Sequence, residues 1–236
     1  QYNLPDNSSI PFSVTVHDLF NPYFLIDEKK YNQLLEPLLL KLKNAQHIIA
    51  ISEYTKSEIE KYIPTKKGAV SVIHNGICLK QKAPPMDTQS DFLCKRGIHR
   101  PFILYVGNYE FRKNMYNAMR GFLQFYKENP EYSLVICSGR APLFPPIKMQ
   151  GLFFKYRHCI HRFGYIQSAQ IQCLFRHATT LLFPSLAEGF GVPILEAMSV
   201  NTPVVVSNTT SLPEVGKNAA IYVDPNDTLN ISQGLL

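Results

Sequence analysis

The stretch Pro184-Ser185-Leu186-Ala187-Glu188-Gly189-Phe190-Gly191-Val192-Pro193-Ile194-Leu195-Glu196-Ala197-Met198 reads as a junction between two kinds of element. An apolar strand ends at Phe183, and a turn containing Gly189 and Gly191 follows. Pro193 then fits the first turn of a helix, where its missing N–H costs least. Outward from this junction the same alternation recurs. Apolar runs rich in β-branched residues lie at Ser13–His17, Ile48–Ser52, Val70–His74, Phe102–Gly107, Leu134–Ser138, Ile160–Phe163, Thr180–Pro184, Pro203–Ser207 and Ala220–Val223. Helical patterns lie between them at Asn32–Lys43, Thr55–Tyr62, Asn114–Glu128, Ala169–His177 and Val192–Val200. Short, uniformly apolar strands imply parallel pairing with both faces covered. The repeated βαβ order therefore predicts an α/β fold of two Rossmann-like, doubly wound parallel sheets, the first one incomplete. Cys78–Arg100 breaks the rhythm with Pro84-Pro85, lysines and no periodic apolar face. An inter-domain linker is expected at 78–99, between an N-terminal unit at 1–77 and a C-terminal unit at 100–236.

Composition excludes several classes. With 236 residues, 45% hydrophobic and 18% charged, the chain has the makeup of a globular protein rather than a disordered one. No apolar run approaches the roughly 18 residues of a membrane-spanning helix, and no basic segment precedes an apolar signal region, so a cytoplasmic protein is expected. The formal net charge of +6 permits phosphates, nucleic acid or an anionic membrane surface as partners. The cations are spread along the chain without RNA-recognition aromatics or finger-type cysteine pairs, which argues against nucleic acid. Five cysteines, odd in number and without a C-x-x-C pair, fit buried reduced thiols. The chain starts at Gln1 and ends inside a helical pattern, Leu229 to Leu236, so a fragment of a longer chain is expected.

The glycine turn and the helix start after it make an anion site, because free N–H groups and the positive end of the helix dipole favour a phosphate. Glu188 stands at its mouth. Glu196, about one turn into the helix, presents a carboxylate able to accept two hydrogen bonds from a vicinal diol such as ribose. The plainer reading is a tight turn followed by a solvated glutamate. A second segment, Ile103-Leu104-Tyr105-Val106-Gly107-Asn108-Tyr109-Glu110-Phe111-Arg112-Lys113-Asn114, again runs strand, glycine turn, helix start. It brings Arg112 and Lys113 to the sheet edge where open α/β folds bind ligands, a position suited to clamping a diphosphate. Its plainer reading is a basic pair on a solvated loop.

Glu188-Gly189-Phe190-Gly191-Val192-Pro193 through Glu196, with Gly107, Arg112-Lys113-Asn114 and Ser211-Leu212-Pro213-Glu214-Val215, resembles family 4 of the retaining GT-B glycosyltransferases, nearest its mannosyltransferase-like branch of bacterial surface-polysaccharide enzymes. The likeness runs from Arg100 onward and continues weakly through His17-Asp18, Ile51-Ser52-Glu53 and Val72-Ile73-His74-Asn75-Gly76. The resemblance implies a GT-B fold and transfer of a sugar from a nucleoside diphosphate sugar, GDP-sugar favoured over UDP-sugar, to a polysaccharide or lipid-linked acceptor. It implies that Glu188 contacts the donor sugar, that Glu196 holds the ribose, and that Gly189, Phe190, Gly191 and Val192 supply backbone donors. Lys113 matches the family's phosphate-binding lysine. Asn108 follows Gly107 where many members have arginine, and Arg112 is the substitute. His17 matches a cleft-facing histidine, with a capped strand end as the plainer reading, and Tyr165 and Ile166 fall where members contact the nucleobase. No tightly bound cofactor, no metal and no nucleic acid are implied, and no Asp-x-Asp motif is present. A nucleotide-sugar-binding module without turnover is the alternative. A dehydrogenase lacks its Gly-x-Gly-x-x-Gly turn. Arg157-His158-Cys159 with His161 lacks the second half of a zinc site. The segment Leu34–Lys43 offers peripheral membrane contact, or else a core helix with Pro37 near its first turns.

Overall fold

The computed structural model describes residues 10–19, 28–64, 68–77, 92–99, 101–139 and 146–236. Cys78, the Pro84-Pro85 pair and most of the Pro-rich loop at 140–146 lie outside them.

Strands β1 (Ser13–Val16), β2 (His47–Ala50) and β3 (Val70–Val72) form a parallel sheet in that order. They are joined through α1 (Glu28–Asn44) and α2 (Glu53–Tyr62). A second, six-stranded sheet contains β4 (Phe102–Val106), β5 (Ser133–Cys137), β6 (Ile160–Phe163), β7 (Thr180–Phe183), β8 (Val204–Ser207) and β9 (Ile221–Val223). Its order is β6-β5-β4-β7-β8-β9, with every pair parallel. The order reverses between β4 and β7, so a crevice opens at the carboxyl ends of these two strands.

Both faces of the second sheet are covered, so β5, β7 and β8 are buried at every position and largely apolar. Successive side chains point to opposite faces. Leu104, Val135, Leu181 and Val206 pack under α5 (Ser168–His177), α6 (Val192–Met198) and α7 (Leu212–Gly216). Ile103, Ile136, Leu182 and Val205 pack under α3 (Met115–Tyr126), α4 (Ile147–Lys155) and α8 (Thr228–Gln233). Leu93 and Ile98, from the stretch expected as linker, are buried in the first of these clusters, and residues 92–95 make a helical turn.

Three local readings differ. Pro37 is inside α1 rather than in its first turns. The carbonyl it leaves without a partner belongs to Gln33, and both residues are exposed, so water replaces the missing N–H. Helix α4 was not anticipated. Helix α6 ends at Met198, two residues short of expectation, because Val200 and Thr202 N–H groups both turn back to the Ala197 carbonyl. Among the described residues, no helix is long and apolar enough to cross a membrane.

Candidate active site

The turn after β4 is built first by its own strand. Buried Tyr105 donates its hydroxyl to the Lys113 carbonyl at 2.8 Å, drawing a 3-10 turn, Phe111–Lys113, back over the strand end. Burial, and after it the Glu188 carboxylate, hold the Tyr105 phenol well above its ordinary range, so it keeps its proton to donate. Asn114 follows with φ 57, in the left-handed region. It is buried, and its side-chain amide donates to the carbonyls of Pro184 at 2.9 Å and Pro225 at 2.7 Å. The Leu186 N–H completes the link by donating to the Arg112 carbonyl at 2.7 Å. The cationic turn and the loop after β7 are thereby one unit.

That unit places Arg112 and Lys113 on Glu188. Lys113 Nζ lies 2.7 Å from Glu188 Oε1, and Arg112 Nη1 lies 3.1 Å from Oε2. The Glu188 side chain is only 8% exposed, so these are charge-assisted bonds shielded from solvent. Arg112 also pairs with Glu110 through Nε at 2.9 Å, and Lys113 sits over the Phe183 ring at 5.4 Å. Two cations and two carboxylates, Glu188 and Glu110, are thus concentrated at the switch point of the sheet.

The turn Glu188–Gly191 is held from two sides. Thr210 accepts the Glu188 N–H at 3.1 Å, and the Ser211 hydroxyl faces the carbonyls of Glu188 at 2.8 Å and Phe190 at 3.1 Å. On the other side the Ser52 hydroxyl donates to the Gly189 carbonyl at 2.7 Å. A Cβ on Gly189 would stand 2.0 Å from the His17 carbonyl oxygen, so the backbones of the two sheets' loops touch only because this residue has no side chain. Gly191 caps α6 at φ 104.

Glu196 is half-buried on α6 and lines a cleft of about 370 Å³ with Ser168, Gln172 and Arg176 of α5 and Gly76 and Ile77 beyond β3. Burial raises its carboxyl pKa. Gly107 donates its N–H to the Cys137 carbonyl at 2.9 Å, extending the β4–β5 ladder by one residue at the end of β4. Tyr165 and Ile166 lie between β6 and α5, Tyr165 72% exposed and Ile166 packed on the core. The His17 side chain is exposed, and its carbonyl meets Gly189. Thus Gly107, Arg112, Lys113, Glu188, Gly189, Phe190, Gly191 and Val192 are gathered around the turn, with His17 across from it. Glu196 faces the neighbouring cleft, and Tyr165 and Ile166 precede the helix that walls it. Tyr105, Asn114, Ser52, Thr210 and Ser211 form the support that sequence reasoning did not assign. Among the described residues no group of three or more His, Cys, Asp or Glu is arranged to hold a metal.

Two parallel-sheet units, with a charged crevice where the second meets the first, define the GT-B architecture. The chain belongs to the Glycosyl transferases group 1 family, which matches residues 95–235, and Glycosyltransferase Family 4 matches residues 4–81. It is similar to O-antigen chain mannosyltransferase B of Escherichia coli, with 35% identity over 208 residues, 83% of this chain and 52% of the relative. It is 28% identical over 218 residues to O-antigen chain mannosyltransferase RfbU of Salmonella typhimurium, covering 91% of this chain and 57% of the relative. The chain therefore spans about half the length of these curated relatives. Among solved structures, Anabaena Alr3699/HepE in complex with UDP-glucose shares the fold with a TM-score of 0.77 at 17% identity, over 94% of this chain and 61% of that one. Sucrose-phosphate synthase of Thermosynechococcus elongatus does so with a TM-score of 0.76 at 21% identity, over 94% and 57%.

Proposed function

We propose that this chain carries the donor site of a retaining glycosyltransferase that moves mannose from GDP-mannose to a polysaccharide or lipid-linked glycan acceptor. The observation that carries the reading is the Glu188 carboxylate held by Arg112 and Lys113 at the switch point, one helix away from a cleft bearing Glu196. The mannose donor is favoured by the two O-antigen mannosyltransferase relatives. Residues 100–236 form the donor domain, 1–77 contribute to the acceptor side, and 78–99 link them.

Arg112 and Lys113 bind the diphosphate, and they stabilise it more strongly as it departs with added charge. The two cations are already paired with Glu188, so the incoming diphosphate shares them. The carboxylate is then free to accept hydroxyls of the transferred sugar. Gly189 to Val192 present backbone to the sugar and phosphate. Glu196 accepts the two ribose hydroxyls, Tyr165 and Ile166 border the base, Gly107 keeps the phosphate side open, and His17 faces the transferred sugar. No residue is assigned as nucleophile or general base. The enzyme works in the cytoplasm, where the exposed Leu40 and Lys43 of α1 offer peripheral contact with a membrane carrying the acceptor.

Calorimetric titration with GDP, UDP, ADP and NAD in parallel tests the reading. Selective binding of GDP is expected. Binding of none of them, by this chain and by a longer chain containing it, would refute the donor site. Nucleotide binding without sugar transfer by the longer chain would leave a binding module without turnover.

A further inference from the structure

The segment Ser211–Val215 carries part of the family resemblance, and one of its side chains is spent entirely on the other sheet. Glu214 sits on α7. Its Oε1 and Oε2 accept the Glu53 N–H at 2.9 and 3.0 Å, Oε2 stands 3.4 Å from the Tyr54 nitrogen, and Oε1 lies 2.7 Å from His74 Nε2. Glu53 and Tyr54 open α2, a ten-residue helix. Their N–H groups have no partner within the helix, so an outside acceptor is required, and a carboxylate also suits the positive end of the dipole. The Glu214 side chain is 20% exposed, and His74 reinforces the contact by packing its ring 5.6 Å from that of Phe190.

The same short segment grips the donor turn. Thr210 and Ser211 bind the peptide groups of Glu188 and Phe190, while Ser52, the N-cap of α2, binds the Gly189 carbonyl between them. Residues 210–214 therefore connect the start of α2, which Glu214 reaches across 161 residues of sequence, to the turn that presents Glu188.

We propose that Glu214 is a positioning residue, which ties α2 and His74 to the turn 188–191 so that occupancy of the turn is transmitted to α2 and the seating of the two sheets sets where Glu188 points. The inference rests on the reading of that turn as the donor site. A simple helix cap would stabilise α2 alone, whereas a coupling residue carries a signal from nucleotide to α2.

Amide hydrogen exchange by mass spectrometry separates the two, on the wild-type chain and on Glu214→Ala, Glu214→Gln and His74→Ala, each with and without GDP or UDP. Without nucleotide, Glu214→Ala is expected to speed exchange on the order of tenfold at 52–55 and also at 188–191, with β4 and β5 unchanged. Glu214→Gln, which keeps one acceptor oxygen, should fall between. In the wild type, nucleotide should slow exchange in both segments, and in Glu214→Ala only at 188–191. Unchanged exchange at 188–191 in Glu214→Ala, or nucleotide protection that still reaches 52–55, would overturn the proposal. If Glu214→Ala does not fold, Glu214→Gln and His74→Ala carry the same comparison. If neither nucleotide binds the wild type, the donor-site reading fails, and the nucleotide-free comparison still decides whether Glu214 joins α2 to the turn.

Discussion

Replacing Gly189 by alanine adds one methyl group at the point where the two sheets' loops meet. The new Cβ would lie 2.0 Å from the His17 carbonyl oxygen, 3.1 Å from its carbon and 3.3 Å from Asp18 Cβ. Ordinary contact begins at 3.4 Å, so the loops must part by about 1.4 Å, and the obstacle is backbone, which has no rotamer to yield. Parting by that amount carries the Ser52–Gly189 bond from 2.7 Å to about 4.1 Å, beyond hydrogen-bonding range. The lost bond costs about 1 kcal/mol and the overpacking about 1–3 kcal/mol. Gly189 does not have a left-handed φ, so alanine is otherwise compatible there and restricting the unfolded chain works in the opposite direction. The expected net loss of roughly 2–3 kcal/mol corresponds to a fall in Tm of about 4–12 °C for a chain of this size, read by scanning calorimetry. Gly76→Ala is the control: nothing lies within 4 Å of its added methyl, and it should leave the Tm unchanged or slightly raised. An unchanged Tm for Gly189→Ala would show that the loops do not meet as described.

Four further outcomes are expected. Burial raises the Glu196 pKa, so the protein is favoured with this group protonated, and that stability is lost as pH rises from the ordinary carboxylate range through the raised value. Glu196→Gln should therefore be more stable than wild type at pH 7 and equal to it in acid, checked by thermal unfolding against pH, while Glu196→Ala weakens nucleotide binding about tenfold or more by calorimetry. Lys113→Met leaves the shielded Glu188 charge with Arg112 alone and should cost roughly 2–4 kcal/mol, whereas adding Glu188→Gln should recover part of the loss in a double-mutant unfolding cycle. Burial pushes the Cys137 thiol up to about 12, so in native labelling with iodoacetamide at pH 8 the exposed Cys94 should react while Cys137 stays unmodified until the chain unfolds.

Much of the architecture was legible because parallel strands buried on both faces leave a blunt signal. Phe102–Val106, Leu181–Phe183 and Val204–Val206 are apolar without interruption and are each followed by a turn. Helix α4 gives a weaker signal, although Met149, Leu152, Phe153 and Tyr156 have helical spacing against the core. Exposed Ile147 and Phe154 and the intervening Gly151 blurred its apolar face. At the site, the charged residues announced themselves by type and position. Their supports did not, since Ser52, Thr210, Ser211 and Glu214 act through backbone groups of residues far away in sequence. The bonds of Ser52 and Glu214 exist only once the two sheets have met, and those of Thr210 and Ser211 only once β7 and β8 lie side by side. Pro37 was misplaced because a proline inside a helix is tolerated through solvent exposure of the carbonyl one turn earlier, which spacing alone does not reveal.

Asn114 narrows the choice of residue at its position to one in twenty. Glycine adopts the same left-handed backbone but has no amide to reach Pro184 and Pro225. Aspartate matches the shape and would set acceptor against acceptor at both carbonyls. Glutamine has the donors on a side chain one methylene too long for a site that is already closed. Two proline carbonyls, which sit where the chain leaves β7 and β9, thus converge on a single NH₂ group, and the placement of the neighbouring lysine is written into that one amide.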